Sequence, residues 1–306
     1  MKKILVTGGN GLVGNAISQI ANNYPEYEFI FCVSENYNLT KEKEVKELFD
    51  RYKPNYVIHT AAKVGGLGGH VKYQYDYFYD NILINSYVIN YAIKNKVEKF
   101  IGLSSVCGFS EKLSTLNEEL FHYGEPFLDN YSYGYTKRIM DVQISSCNKQ
   151  FGIVNFCSLI SGNIFGENDL YNTEYGHVVP SLIHKIYSAK KNQSSLFVWG
   201  DGSCTRELLY SKDLALIIMN ILNMEFIPQR FLVAGNSLSI KNLIILLCEV
   251  SNFTGDIVWD TDKPTGNSNR NSDISFLKSK IKVNLTDFKD SLKNSYDWFC
   301  DNYPKV

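Results

Sequence analysis

Apolar and polar positions fall into alternating blocks along the first half of the chain, and the blocks switch between two periods. Short apolar runs at Lys3–Thr7, Glu28–Val33, Tyr56–Thr60, Lys99–Leu103 and Asn155–Leu159 read as strands buried on both faces. Between them, apolar residues recur every three or four positions over Leu12–Asn22, Lys41–Arg51, Tyr77–Lys94 and Tyr133–Phe151, which predicts helices, the second capped by Thr40. Strands alternating with helices predict an α/β, Rossmann-type doubly wound parallel sheet covered on both sides.

After about Gly162 the regularity loosens. Polar loops rich in Asn, Gly, Asp and Ser cover 162–178 and 262–273. Short strands are expected at Leu196–Trp199 and Arg230–Ala234, and helices at Lys212–Leu222, Ile240–Ser251 and Leu285–Asn302. The reading is a dinucleotide-binding domain over 1–162 plus about 205–235, with a smaller C-terminal α/β substrate lobe over 163–204 plus about 236–306.

Composition narrows the function by exclusion. The 306 residues are 44% hydrophobic and 21% charged, with a formal net charge of -1. That balance provides no field for nucleic acid or an anionic membrane, so an anionic ligand must be met by local groups. The start, MKKILVTGG, is too short in apolar residues for a signal peptide, and no run approaches the roughly 20 residues of a membrane span. Seven cysteines at 32, 107, 147, 157, 204, 248 and 300 form no CxxC pair. Reduced thiols, a cytoplasmic home and no metal site are expected.

The first chemical motif is GGNGLVG, with Gly8, Gly11 and Gly14 between a strand and a helix. The first glycine allows the tight turn, the second lets backbone approach a pyrophosphate, and the third lets helix and strand pack closely. The helix N-terminus at Leu12 and Val13 offers free N–H groups to the anion. Small residues Ala61 and Ala62 end the third strand and are expected beside the same cofactor. At the tip of the second strand Ser34 leaves space for a 2′-phosphate and leans the choice to NADP(H), while adjacent Glu35 keeps NAD open.

Tyr133 and Lys137, one helical turn apart in NYSYGYTK, suit carbonyl reduction. A phenol with an ordinary pKa near 10 donates its proton more readily beside an ammonium. The strand KFIGL ends in Ser104 and Ser105, one of which is expected to hydrogen-bond the carbonyl. Continued extension past Ser105 would point Ser105 and Cys107 the same way.

Taken together, these residues resemble the GDP-L-fucose synthase family of extended short-chain dehydrogenases, which act as 3,5-epimerase and 4-reductase on a GDP-4-keto-6-deoxy sugar. AAKVGGLGGH at 61–70 is the most specific piece, with GYTKRIMDVQ, SGNIFGENDLYN, GHVVPSLIHK and VWGDGSCTRELLYSKDLA following in family order. The resemblance implies NADPH, a homodimer, and reduction by Ser105, Tyr133 and Lys137. It places Asn163, Lys185, Trp199 and Arg206 near the GDP-sugar, with Arg270 as the cation left in the loop 263–273. It also assigns epimerisation to Cys107 and His177. Counting forward from Lys99 puts Cys107 on the family cysteine, whereas counting back from Tyr133 puts Val106 there; the first is preferred.

Departures gather around the sugar: His70 for Asn, Gly108 for a bulky aliphatic, Ser161-Gly162 for Pro-Thr and Glu167-Asn168 for Pro-His. With Gly108 opening space, they point to a different or larger sugar, such as a GDP-4-keto-heptose handled by reduction alone. Val106-Cys107 where a 4,6-dehydratase needs Asp-Glu argues against dehydration. A non-catalytic NADP(H) sensor is the alternative from another class, and it has no reason to retain Tyr133 and Lys137.

Overall fold

The computed structural model describes residues 1–173, 176–262 and 270–304. Through the first half, the elements run β1 (Lys2–Thr7), α1 (Leu12–Ile20), β2 (Tyr27–Cys32), α2 (Glu42–Tyr52), β3 (Tyr56–His59), α3 (Leu67–Lys72), α4 (Gln74–Lys94), β4 (Lys99–Ser105), β5 (Thr115–Leu116), α5 (Tyr131–Phe151) and β6 (Phe156–Ser161). Then come β7 (Asn163–Phe165), α6 (Val178–Asn192), β8 (Leu196–Trp199), β9 (Thr205–Tyr210), α7 (Ser211–Leu222), β10 (Arg230–Val233) and β11 (Asn236–Ser239). The chain continues through α8 (Ile240–Ser251), β12 (Ile257–Asp260), β13 (Asn271–Ser272), α9 (Ser275–Lys280) and α10 (Phe288–Asn302).

Six strands form the main sheet in the order β10-β6-β4-β3-β1-β2, every pair parallel. Alternation within β1 shows why both faces are covered. Ile4 and Val6 enter the core with Val13 and Ile17 of α1 and Leu214 and Ile218 of α7. Leu5 points the other way, into a core with Phe49 of α2, Val88 of α4 and Met140 of α5. Strand order reverses between β1 and β3, so the ligand crevice is expected at the carboxyl ends of the strands there.

A third core packs Phe165, Ile183, Ile186, Leu208, Ile244 and Phe299 beneath the three-stranded sheet β11-β9-β7. Two segments sit apart from the two-lobe division read in the sequence. The strand β9 pairs with β7 and β11 rather than with the main sheet. Residues 275–283 return to the large sheet, where Leu277 is fully buried with Ile281 and Val283 against it.

Several boundaries differ for local reasons. Lys41, not Thr40, caps α2; the Thr40 hydroxyl instead donates to Asn38 Oδ1 at 2.8 Å. The last helix starts at Phe288, capped by Asp287, because Thr286 is bound to the Asp213 carboxylate through its amide and hydroxyl. Helix α3 is hidden in the sequence by its two glycines, and α6 by the polar loop preceding it. No helix among the described residues is long and apolar enough to cross a membrane. Among them, too, no group of three His, Cys, Asp or Glu side chains is gathered as for a metal ion.

Candidate active site

At the carboxyl end of β1 the chain must turn sharply into α1, and the turn leaves little room for side chains. Gly8 has φ +71°, and a Cβ there would lie 2.9 Å from the Ala61 nitrogen. A Cβ on Gly14 would run into the Gly8 carbonyl oxygen, and one on Gly9 would press on Phe31, a requirement that the sequence reading missed. At Gly11 an added Cβ would have only the Gly8 oxygen nearby, at 3.3 Å, so this position opens outward at the N-terminus of α1. Backbone-lined and facing the amide ends of Leu12 and Val13, the hollow fits a dinucleotide pyrophosphate.

Ser34 is exposed just beyond β2, and its hydroxyl donates to the Glu35 carboxylate at 3.3 Å. The Asn10 amide donates to the same carboxylate, also at 3.3 Å. Ala61 is tied to β1 through its amide, which donates to Thr7 Oγ1 at 3.3 Å, with Ala62 half-buried beside it. Beneath them Thr7 Oγ1 meets His59 Nδ1 at 2.7 Å, and His59 Nε2 meets Asn85 Oδ1 at 3.1 Å. Burial holds His59 neutral by lowering its pKa to about 4.

Helix α5 buries Tyr133 and Lys137 on one face and leaves Tyr135 outside, packed on Tyr131. The Lys137 ammonium donates to the Leu103 carbonyl at 2.7 Å and lies 5.4 Å from the Tyr133 ring centre. Burial first, and the nearby Cys107 second, raise the Tyr133 phenol above its usual range, so it keeps its proton. Burial also brings Lys137 down to about 8, against the opposing pull of Cys107.

Past Ser105 the backbone does not stay extended. Val106–Gly108 forms a turn of 3₁₀ helix, and Ser105 Oγ accepts the Cys107 amide at 3.2 Å. The turn still places Cys107 close to both Tyr133 and Lys137. Burial raises the thiol, opposed by Ser105, Arg270, Lys137 and Asn130 in that order. Ser104, in contrast, is buried, with a hydroxyl that finds no partner.

Two departures marked in the sequence face into the protein. A Cβ on Gly108 would lie 2.5 Å from the ring of fully buried Phe121, so the missing side chain is filled by protein and opens no space for a sugar. The Glu167 carboxylate is buried, accepting from Lys212 at 2.6 Å and Tyr210 at 2.8 Å. Both residues serve packing. His70 does reach the site, buried with its ring 4.8 Å from that of Tyr133 and 5.2 Å from that of Tyr77. Burial, then the charge of His177, bring His70 to about 4, with the Gly65 carbonyl opposing.

His177 caps α6, half-buried, with Nδ1 3.7 Å from an oxygen of buried Asp169. Burial would lower its pKa, but contact with Asp169 and its charge outweigh that and leave the imidazole above its ordinary value. Arg270 lies over the Phe127 ring at 5.4 Å; burial lowers its pKa, Cys107 and Glu111 oppose that, and Arg206 adds to it. Arg206 Nη1 donates to the Thr205 carbonyl at 2.8 Å and to Cys204. Asn163 donates to the Glu207 carbonyl at 3.2 Å. Lys185 and Trp199 stand apart from these, the ammonium 5.0 Å from the indole, beside an open cleft of about 250 Å³ that Thr173 and Phe197 also line. Residues 263–269 of the expected sugar loop lie outside the described residues.

The structure therefore connects Ser105, Cys107, Tyr133 and Lys137 directly, and reaches His177 through His70. Sequence reading missed Asn130 and Asp169, and it marked His70 only as a departure. Asn130 stands three residues before Tyr133, one helical turn away, which is the signal that could have found it.

Residues 4–234 match the model of the NAD dependent epimerase/dehydratase family. The GDP-L-fucose synthase of Dictyostelium discoideum is 34% identical over 309 residues, covering 99% of this chain and 96% of that protein. A GDP-L-fucose synthetase from Naegleria fowleri bound to NADP superimposes with a TM-score of 0.93 at 30% identity, over 100% of this chain and 96% of that one. A GDP-mannoheptose C4 reductase from Campylobacter jejuni with NADP bound gives 0.87 at 25% identity, over 98% of both chains.

Proposed function

The chain belongs to the NAD dependent epimerase/dehydratase family, and within it to the GDP-L-fucose synthases of the extended short-chain dehydrogenases; on that premise we propose that it is an NADPH-dependent 4-reductase of a GDP-linked 4-keto-6-deoxy sugar, with 3,5-epimerase capacity. The observation that carries this reading is the buried Tyr133–Lys137 pair of α5 opening onto Cys107 at the end of β4.

Gly8, Gly11 and Gly14 would hold the pyrophosphate of NADPH, and the bound cofactor would supply a hydride for the C4 carbon of the sugar. Tyr133 donates its phenolic proton to the C4 oxygen. Lys137, anchored on the Leu103 carbonyl, keeps positive charge beside the phenolate as it forms. Ser105 already accepts from the Cys107 amide, which leaves its hydroxyl hydrogen to point at the same C4 oxygen. In epimerisation, Cys107 takes the proton from the carbon next to the ketone, and the Tyr133 and Ser105 hydroxyls hold the enolate oxygen. His177 then returns a proton on the opposite face, and solvent restores both groups. Arg206 and Arg270 meet the diphosphate, while Lys185, Trp199 and Asn163 hold the rest of the nucleotide sugar.

Supporting a homodimer, α4 and α5 leave Tyr75, Phe78, Tyr79, Tyr131, Ile139 and Val142 exposed on their outer faces. Seven unpaired cysteines support a cytoplasmic home.

The test is incubation with GDP-4-keto-6-deoxymannose in D₂O without NADPH. Deuterium at C3 or C5, absent in Cys107→Ser, is the expected result. A second reading, reduction alone of a pre-epimerised or seven-carbon GDP-4-keto sugar, draws on the likeness to the mannoheptose C4 reductase and on His70 at the site. No deuterium, together with a much higher kcat/KM for the seven-carbon ketone, would replace the first reading with this one.

A further inference from the structure

The acid and the base of the proposed epimerisation each have a polar neighbour with no part in the reduction. On the Cys107 side, the Asn130 side-chain amide donates to the sulfur at 3.4 Å. Its own carbonyl oxygen is buried and accepts from no group. On the His177 side, the Asp169 side chain is only 5% exposed, and its Oδ1 is fixed by the Leu170 amide at 2.7 Å. Its Oδ2 and the His177 Nδ1 are both buried without a hydrogen-bond partner, although Oδ1 and Nδ1 stand 3.7 Å apart. An unpartnered buried carboxylate oxygen is costly. A closure of less than 1 Å would give the imidazole and the carboxylate a hydrogen bond at ordinary distance.

The two neighbours have opposite polarity. An amide N–H pointed at sulfur favours the thiolate over the thiol, because the anion is much the stronger acceptor. A carboxylate pointed at imidazole favours the cation. We propose that Asn130 and Asp169 are positioning residues which set the direction of proton movement, holding Cys107 as the acceptor and His177 as the donor. This rests on the epimerase reading above for its use, but not for its existence. The backbone limits the alternatives. His177 occupies the N-terminus of α6, where the helix dipole disfavours an imidazolium, so a nearby carboxylate is needed to hold the proton there. Among the described residues, the other titratable groups that act on Cys107 are Tyr133, Lys137 and Arg270, and from α3 His70 acts on His177. His70 is buried against Tyr133, which favours its neutral form and leaves the proton of the histidine pair on His177.

The isosteric variants Asn130→Asp and Asp169→Asn test both contacts in the full chain. Two measurements need no turnover: the pH midpoint of Cys107 alkylation by iodoacetamide, and the pH midpoint of the His177 ring protons by NMR. Asn130→Asp should raise the first by about one unit or more, and Asp169→Asn should lower the second by a similar amount. Asp169→Glu, which keeps the charge, should restore most of the second. Deuterium exchange into the keto sugar should fall at least about tenfold in both variants, with NADPH-dependent reduction of a pre-epimerised substrate within about threefold of the wild type. Midpoints unmoved in folded variants would overturn the proposal even where the wild type exchanges deuterium. Midpoints that move while the wild type exchanges none would instead remove the epimerase reading and leave the two contacts standing.

Discussion

Tyr133 and Tyr135 differ by two positions in sequence and by the whole site in space. Tyr133 is buried beside Lys137 and His70, while Tyr135 packs on Tyr131 at the outer face of α5. Tyr133→Phe keeps the ring and its contact with His70, so the KM for the ketone should hold while kcat falls by about 10²–10⁴-fold. Tyr135→Phe should leave kcat within about twofold, and steady-state NADPH oxidation measures both; a larger loss in Tyr135→Phe would reassign the proton donor. Tyr133 and Lys137 were legible as a pair because they stand one helical turn apart. His70 was legible only as an oddity, since its contact with Tyr133 joins α3 to α5. Gly108 was misread for the same reason. Nothing near it in sequence reveals that the ring of Phe121 fills the space beside it.

Among elements, the strand–turn–helix at the N-terminus is the best determined, because each of its steps is local. Within it the glycines do different work. In Gly14→Ala the new methyl collides with the Gly8 carbonyl, so stability should drop by about 1–3 kcal/mol, the usual cost of overpacking. In Gly11→Ala the methyl points into the open hollow, so stability should change little while NADPH binding weakens at least about tenfold. Urea denaturation and fluorescence titration with NADPH separate the two effects, and unweakened NADPH binding in Gly11→Ala would show that the hollow is not where the cofactor sits. Helix α3 shows where local reading ends. Two glycines and a histidine in six residues have poor helix propensity, yet α3 forms because it is packed against α4 and the 3₁₀ turn Leu128–Asn130 that leads into α5.

At the scale of the molecule, the ligand edge of the sheet is held by buried neutral histidine. His59 links β1 to α4 through Thr7 and Asn85, and its pKa in the folded chain is about 4 against an ordinary 6.5. The unfolded chain therefore binds the proton first. The stability that His59 contributes is whole above about pH 6.5 and is lost as pH falls toward 4, by up to about 3 kcal/mol. His70, also at about 4, acts in the same direction. Urea midpoints at pH 7.5 and pH 5 should differ accordingly, and His59→Asn should flatten the dependence. An unchanged slope in that variant would mean that other groups carry the acid sensitivity.

What the sequence determined by itself is what depends on near neighbours: the periods that make strand and helix, the glycine turn, and the one-turn spacing of Tyr133 and Lys137. Backbone sterics and hydrogen bonding act over a few residues, so these features are written wherever the residues stand. Tertiary structure decided which side chains meet across elements. It turned Glu167 inward to Lys212, set His70 on Tyr133, aimed Asn130 at Cys107, placed Asp169 by His177 and returned Leu277 to the large sheet. Contacts of that kind follow from how packed layers close over a buried core, and side-chain burial is a property of the assembled layers rather than of any stretch of chain.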